Sequence, residues 1–104
     1  MNPHSLVAEI KQKILLAYPG AEVFLFGSFA RGDNRPGSDL DLLILLNKER
    51  YSYNDQKAIT TLLYNLELDY HQVITPLVRT KKEWYSKYIN TPLFINIKNE
   101  GVRV

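Results

Sequence analysis

Cysteine is absent from this chain of 104 residues, so disulfides, thiolate metal sites and cysteine nucleophiles are excluded. Long hydrophobic runs are missing too. The longest, Leu42 to Leu46, falls far short of the roughly 20 residues that span a bilayer. The opening Met1-Asn2-Pro3-His4 has no basic stretch leading into an apolar one, so no signal peptide is expected and a cytoplasmic, soluble protein is. Charge of one sign is scarce as well. Thirteen Lys and Arg against eleven Asp and Glu leave a net +2, too little for a broad basic field, and strong nucleic-acid binding is not expected. What remains is an ordinary globular composition, 45% hydrophobic and 23% charged, long enough for one hydrophobic core over residues 1–104.

Periodicity divides the chain into alternating elements. Val7, Ile10, Ile14 and Tyr18 recur at helical spacing, and Pro19-Gly20 closes that helix. Glu22 to Phe26 reads as a strand ended by Gly27, with a short helix beginning at Ser28 and a loop from Asp33 to Gly37. Asp39 to Leu46 reads as a second strand, polar at its start and wholly apolar afterwards. Ile59, Leu62, Leu63 and Leu66 mark an amphipathic helix, and the alternation of Leu66, Leu68 and Tyr70 with Glu67, Asp69 and His71 predicts a third strand over about 67–74. Thr80 with Glu83 and Thr91 with Pro92 start two more helices, which form a short helical C-terminal tail. The fold class is α/β, with a small mixed sheet of three or slightly more strands flanked by helices.

The chemistry concentrates in one stretch. Asp39 and Asp41 project to the same side of a strand with α-carbons about 6.5–7 Å apart, so their carboxylates can converge. Two hard oxygen ligands without soft donors suit Mg²⁺ or Mn²⁺, whose shell is completed by water and phosphate oxygens. Gly27-Ser28 supplies backbone N–H donors and a hydroxyl at a helix start, where phosphates are favoured; Arg31 adds charge and Ser38 another hydroxyl. A further carboxylate from the third strand would bind metal or accept the proton of an attacking hydroxyl. Asp69, between Leu68 and Tyr70, is the choice for that position, and Glu67, with the same parity and the same apolar flanks, is the alternative.

Other readings of these residues fail on particular positions. A haloacid-dehalogenase phosphatase also uses Asp-apolar-Asp, but its motif continues toward Thr or Val where this chain has Leu43. No lysine followed by Ser or Thr ends the glycine loop, which excludes a Walker P-loop. His71 has no second histidine near it and reads as a strand residue. Trp84, Tyr85, Tyr88 and Phe94 fall at near-helical spacing and read as packing residues over the sheet.

The order apolar, Gly-Ser, Ala-Arg-Gly, Ser-Asp-apolar-Asp, met in full by Phe26-Gly27-Ser28, Ala30-Arg31-Gly32 and Ser38-Asp39-Leu40-Asp41, resembles the minimal nucleotidyltransferases of the DNA polymerase beta superfamily. The specific likeness covers Phe26 to Leu46. It implies a mixed sheet in which two carboxylates of strand two and one of strand three bind divalent metal around a nucleoside triphosphate, ATP or another. It further implies in-line transfer of a nucleoside monophosphate to an acceptor hydroxyl with loss of pyrophosphate. Gly27 and Ser28 would hold the triphosphate with help from Arg31, Asp39 and Asp41 the metals, and Asp69 or Glu67 the third position. Stand-alone domains of this kind are often paired with a HEPN-domain protein, and some are antitoxins that adenylylate a tyrosine of the partner toxin. A noncatalytic module of the same fold that docks onto a partner is the alternative. The chain departs from the pattern in strand three, where two acids compete and the segment runs on through Pro76.

Overall fold

The computed structural model describes residues 3–104, in the order α1 (Pro3–Ala17), β1 (Glu22–Phe26), α2 (Ser28–Arg31), β2 (Leu40–Leu46), α3 (Tyr53–Tyr70), β3 (Ile74–Thr80), α4 (Lys81–Trp84), α5 (Pro92–Glu100) and β4 (Val102–Arg103). The strands form one mixed sheet in the order β3-β2-β1-β4. β2 lies inside it, antiparallel to β1 and parallel to β3. A parallel neighbour needs a crossover, and the 18-residue helix α3 provides it. No helix among the described residues is long and apolar enough to cross a membrane.

The alternation along β2 divides the core in two. Leu40, Leu42, Ile44 and Leu46 face one side, where Leu6, Ile10 and Ile14 of α1 and Ile59, Leu63 and Leu66 of α3 pack on them. Leu43 and Leu45 face the other side and meet Trp84, Phe94 and Ile97. There the rings of Trp84 and Phe94 lie 5.2 Å apart and those of Trp84 and Tyr88 5.7 Å, the packing role their spacing predicts. Buried on both faces, β2 is apolar throughout except at its mouth.

The predicted third strand over 67–74 is corrected. Residues 67–70 are the last turn of α3, and the strand is Ile74–Thr80. Ile59, Leu63 and Leu66 continue the helical spacing to Tyr70, which packs on the same core and donates its hydroxyl to Glu9 at 2.6 Å. Leu68, counted in the alternation as inward, is 55% exposed. The helix ends only at His71, whose backbone takes the left-handed conformation (φ 52°) and donates its N–H to the Glu67 carbonyl. Pro76 is accommodated within β3 because that strand is the outer one of the sheet. The tail contains both expected helices but does not end with them. After α5 the chain returns as β4, Leu25 opposite Val102 and Phe24 opposite Arg103.

Thr80 and Thr91 cap α4 and α5 as expected, accepting from the N–H groups of Glu83 and Phe94. The start of α3 has stronger fastening. Ser52 and Asp55 form a reciprocal capping box, and Asp55 also accepts from Lys48 Nζ at 2.7 and 2.9 Å and from the Tyr18 hydroxyl at 3.0 Å. The Lys48 ammonium, helped by the Ser52 donors, holds the Asp55 carboxyl far below the ordinary range. Burial, then the Asp55 hydrogen bond, pushes the Tyr18 phenol up to about 12.

A depressed carboxyl pKa contributes stability that is complete above the unfolded value of 3.8 and is lost as pH falls through the folded one. Asp55→Asn is expected to lower unfolding free energy at pH 7 by about 1–2 kcal/mol, because Lys48 is partly exposed and its attraction screened. The gap from wild type should close as pH drops below 3.8, as measured by urea unfolding at a series of pH values.

Candidate active site

The antiparallel register of β1 and β2 puts Phe26 opposite Asp41. The next residue, Gly27, therefore turns beside the Asp41 side chain. Its φ of 73° is a conformation that side chains disfavour, and a Cβ there would overlap Asp41 Oδ2 and lie 3.2 Å from Cγ. The Gly27 carbonyl accepts from the N–H groups of Ala30 and Arg31, both at 3.1 Å, which winds Ser28–Arg31 into the single turn of α2. Gly27, Ser28 and Asp41 are thus brought together at one end of the sheet.

The loop back to β2 is built as tightly. Pro36-Gly37 forms a turn in which Ser38 N–H donates to the Arg35 carbonyl at 2.9 Å, with Gly37 at φ 89°. The Ser38 hydroxyl accepts from Arg35 N–H at 2.9 Å, and its carbonyl accepts from Gln72 Nε2 at 2.7 Å. Ser38 is therefore engaged in shaping the approach to Asp39. Gln72, which the sequence reading did not single out, ties this loop to the start of β3.

Asp39 is exposed and Asp41 half-buried. Asp41 shares its sheet face with Leu43 and Leu45, at the open end of the layer that also contains Phe24 and Phe26. Burial and the neighbouring Asp39 charge push the Asp41 carboxyl above its ordinary value, against the opposing pull of Arg31. Arg31 donates to Asp33 and to Glu100 of α5, both at 3.2 Å, so its hydrogen bonds go elsewhere while its charge acts on Asp41.

The third strand does not carry the acids assigned to it. Glu67 and Asp69 lie on α3; Glu67 Oε1 accepts from Ile74 N–H at 2.7 Å and so anchors the start of β3, while Asp69 is exposed. Among the described residues no three acidic, histidine or cysteine side chains gather into a metal-holding group. Opposite Asp41 on β3 stands Thr75, whose hydroxyl donates to Asp39 Oδ2 at 3.4 Å. No sequence signal singles it out, because β3 was expected earlier in the chain. The donor set of two convergent carboxylates, one hydroxyl and no soft atom fits a hard divalent cation with remaining shell positions for water and phosphate. The space kept clear by Gly27 lies directly against one of those carboxylates.

Comparisons with known proteins bear on the family and the fold. The family model described as nucleotidyltransferase domain matches residues 7–103. Two proteins of Methanocaldococcus jannaschii, both provisionally named protein adenylyltransferases, are similar to the chain. MJ0141 is 37% identical over 82 residues, covering 79% of this chain and 76% of its own, and MJ0604 is 32% identical over 103 residues, covering 97% and 96%. The crystal structure of a provisionally named nucleotidyltransferase from Sulfolobus solfataricus superposes with a TM-score of 0.62 at 21% identity, over 95% of this chain and 76% of that one, and so shares the fold.

Two outcomes follow from the crowding at Gly27 and the environment of Asp41. Gly27→Ala should cost about 1–3 kcal/mol of stability, the usual penalty for a strained backbone together with displacement of the Asp41 carboxylate. Thermal unfolding measures it. Asp41→Asn should instead raise the melting temperature at pH 7 in metal-free buffer, since ionising a carboxyl whose folded pKa is raised costs stability as pH rises. The advantage should vanish at pH 3, where wild-type Asp41 is itself protonated.

Proposed function

The chain belongs to the nucleotidyltransferase domain family, and from that membership we propose that it transfers AMP from ATP to a hydroxyl of a protein acceptor with the help of Mg²⁺ or Mn²⁺. The observation that carries this reading is the meeting of Gly27 with Asp41, which sets a side-chain-free turn against a carboxylate pair at the sheet's open end. Asp39 and Asp41 would hold the ion. When bound, a divalent ion neutralises phosphate charge and stabilises the oxygens that enter and leave phosphorus.

The chain's own residues supply position and exclude alternatives. Gly27 lets phosphate oxygens approach the backbone and the Asp41 carboxylate without a Cβ between them. Ser28 offers its hydroxyl at the start of α2, and Arg31, held by Asp33 and Glu100, contributes a positive field beside the leaving phosphates. Ser38 acts by fixing the loop that delivers Asp39. The reaction transfers the adenylyl group: the acceptor oxygen bonds to the α-phosphorus, the bond from that phosphorus to the α–β bridging oxygen breaks, pyrophosphate leaves with its electron pair, and the hydroxyl proton passes to solvent or a base. Positioning and charge stabilisation account for most catalysis of this type.

The names of the two M. jannaschii relatives support a protein as acceptor. A tyrosine of a HEPN-type toxin is the acceptor we propose, on the resemblance stated above, which makes the chain an antitoxin acting in the cytoplasm. Incubation with labelled ATP, Mg²⁺ and such a partner should label the partner and release pyrophosphate. Asp39→Ala with Asp41→Ala should reduce labelling by about 100-fold or more, the scale of losing an electrostatic catalytic group. Undiminished labelling by the double variant would reject the assignment, and a stable complex with neither label nor pyrophosphate would point to a docking module.

A further inference from the structure

The position on β3 that faces the carboxylate pair is filled by an uncharged residue. In the parallel register Thr75 stands beside Asp41, so their side chains leave the same face of the sheet about 4.8 Å apart, and the Thr75 hydroxyl reaches Asp39 Oδ2 at 3.4 Å. The acids expected at this place lie elsewhere: Glu67 accepts from Ile74 N–H, and Asp69 is exposed on the last turn of α3. We infer that Thr75 is the third, neutral member of the cation site, and that the site therefore takes up a single divalent ion together with the nucleotide instead of holding ions in advance.

The inference rests on the reading of Asp39 and Asp41 as cation ligands and follows from charge. Affinity for a hard divalent ion rises with the number of anionic ligands, and Mg²⁺ releases its water reluctantly. Two carboxylates, Asp39 exposed and Asp41 within reach of the Arg31 charge, bind such an ion weakly alone. Triphosphate oxygens supply the missing negative charge. A hydroxyl suits the third position because it donates to Asp39 when no ion is there and offers lone pairs when one is. It adds no charge with which to hold a second ion.

Manganese binding to chelator-treated protein, followed by electron paramagnetic resonance, tests this without turnover. Wild type should bind Mn²⁺ at least about tenfold more tightly with a non-hydrolysable ATP analogue than without, and should hold one ion per complex. Thr75→Asp should gain about tenfold in nucleotide-free affinity and admit a second ion, whereas Thr75→Asn, which adds no charge, should gain nothing. Two ions per wild-type complex, or no gain in a folded Thr75→Asp protein, would overturn the inference; an equal gain in Thr75→Asn would too. If Thr75→Asp does not fold by circular dichroism, the wild-type stoichiometry decides. Should Asp39→Ala with Asp41→Ala leave wild-type Mn²⁺ binding unchanged, the cation-site reading of those residues falls as well, an outcome distinct from failure at Thr75 alone.

Discussion

Everything at the open end of this sheet depends on the pairing of Phe26 with Asp41. That antiparallel register carries the chain out of β1 directly beside a carboxylate of β2, and the residue that must turn there has no room for a side chain. A shift of one residue would send Asp41 to the opposite face, among the aliphatic contacts of α1 and α3, where an unpaired charge is strongly disfavoured. The register is held by the alternation of the core itself. Leu42, Ile44 and Leu46 cannot exchange places with Leu43 and Leu45 without unpacking two distinct apolar layers.

The second constraint is the parallel pairing of β2 with β3, which sets the composition of the site's far wall. It depends on α3 running its full length to Tyr70 before the chain reverses at His71, and on Glu67 and Gln72 fastening the arriving strand. Glu67, a candidate catalytic acid in one dimension, thus holds the scaffold in three together with Gln72. The wall they position presents a threonine. Asp41 itself works against folding, because burial beside Asp39 disfavours its charged form.

Much of this was legible beforehand where local physics is decisive. Helix α1, strands β1 and β2, the turn at Gly27 and the caps at Thr80 and Thr91 follow from periodicity, from glycine's freedom at positive φ and from the capping groups, and the structure contains all of them. Over 67–70 two periods compete: Leu66, Leu68 and Tyr70 satisfy a period of two, whereas Ile59, Leu63, Leu66 and Tyr70 continue the helical one. Burial of Leu66 and exposure of Leu68 decide between them, and neither is visible in a string of residue types. Strand β4 has no local signature, because two residues carry no periodic signal; their partner strand defines them.

By itself the sequence determined the family, the α/β order, and the Gly27-Ser28 and Asp39-Leu40-Asp41 pair, because those features rest on backbone freedom, side-chain alternation and a fixed spacing along the chain. Only the tertiary structure decided what stands opposite the carboxylates, where Arg31 spends its hydrogen bonds, and that Glu67 serves a strand end. Thr75 against Asp39 and Arg31 against Glu100 join segments more than 30 residues apart, and the Glu67 contact exists only because α3 runs on to Tyr70; packing of both sheet faces fixes these arrangements and no local pattern encodes them.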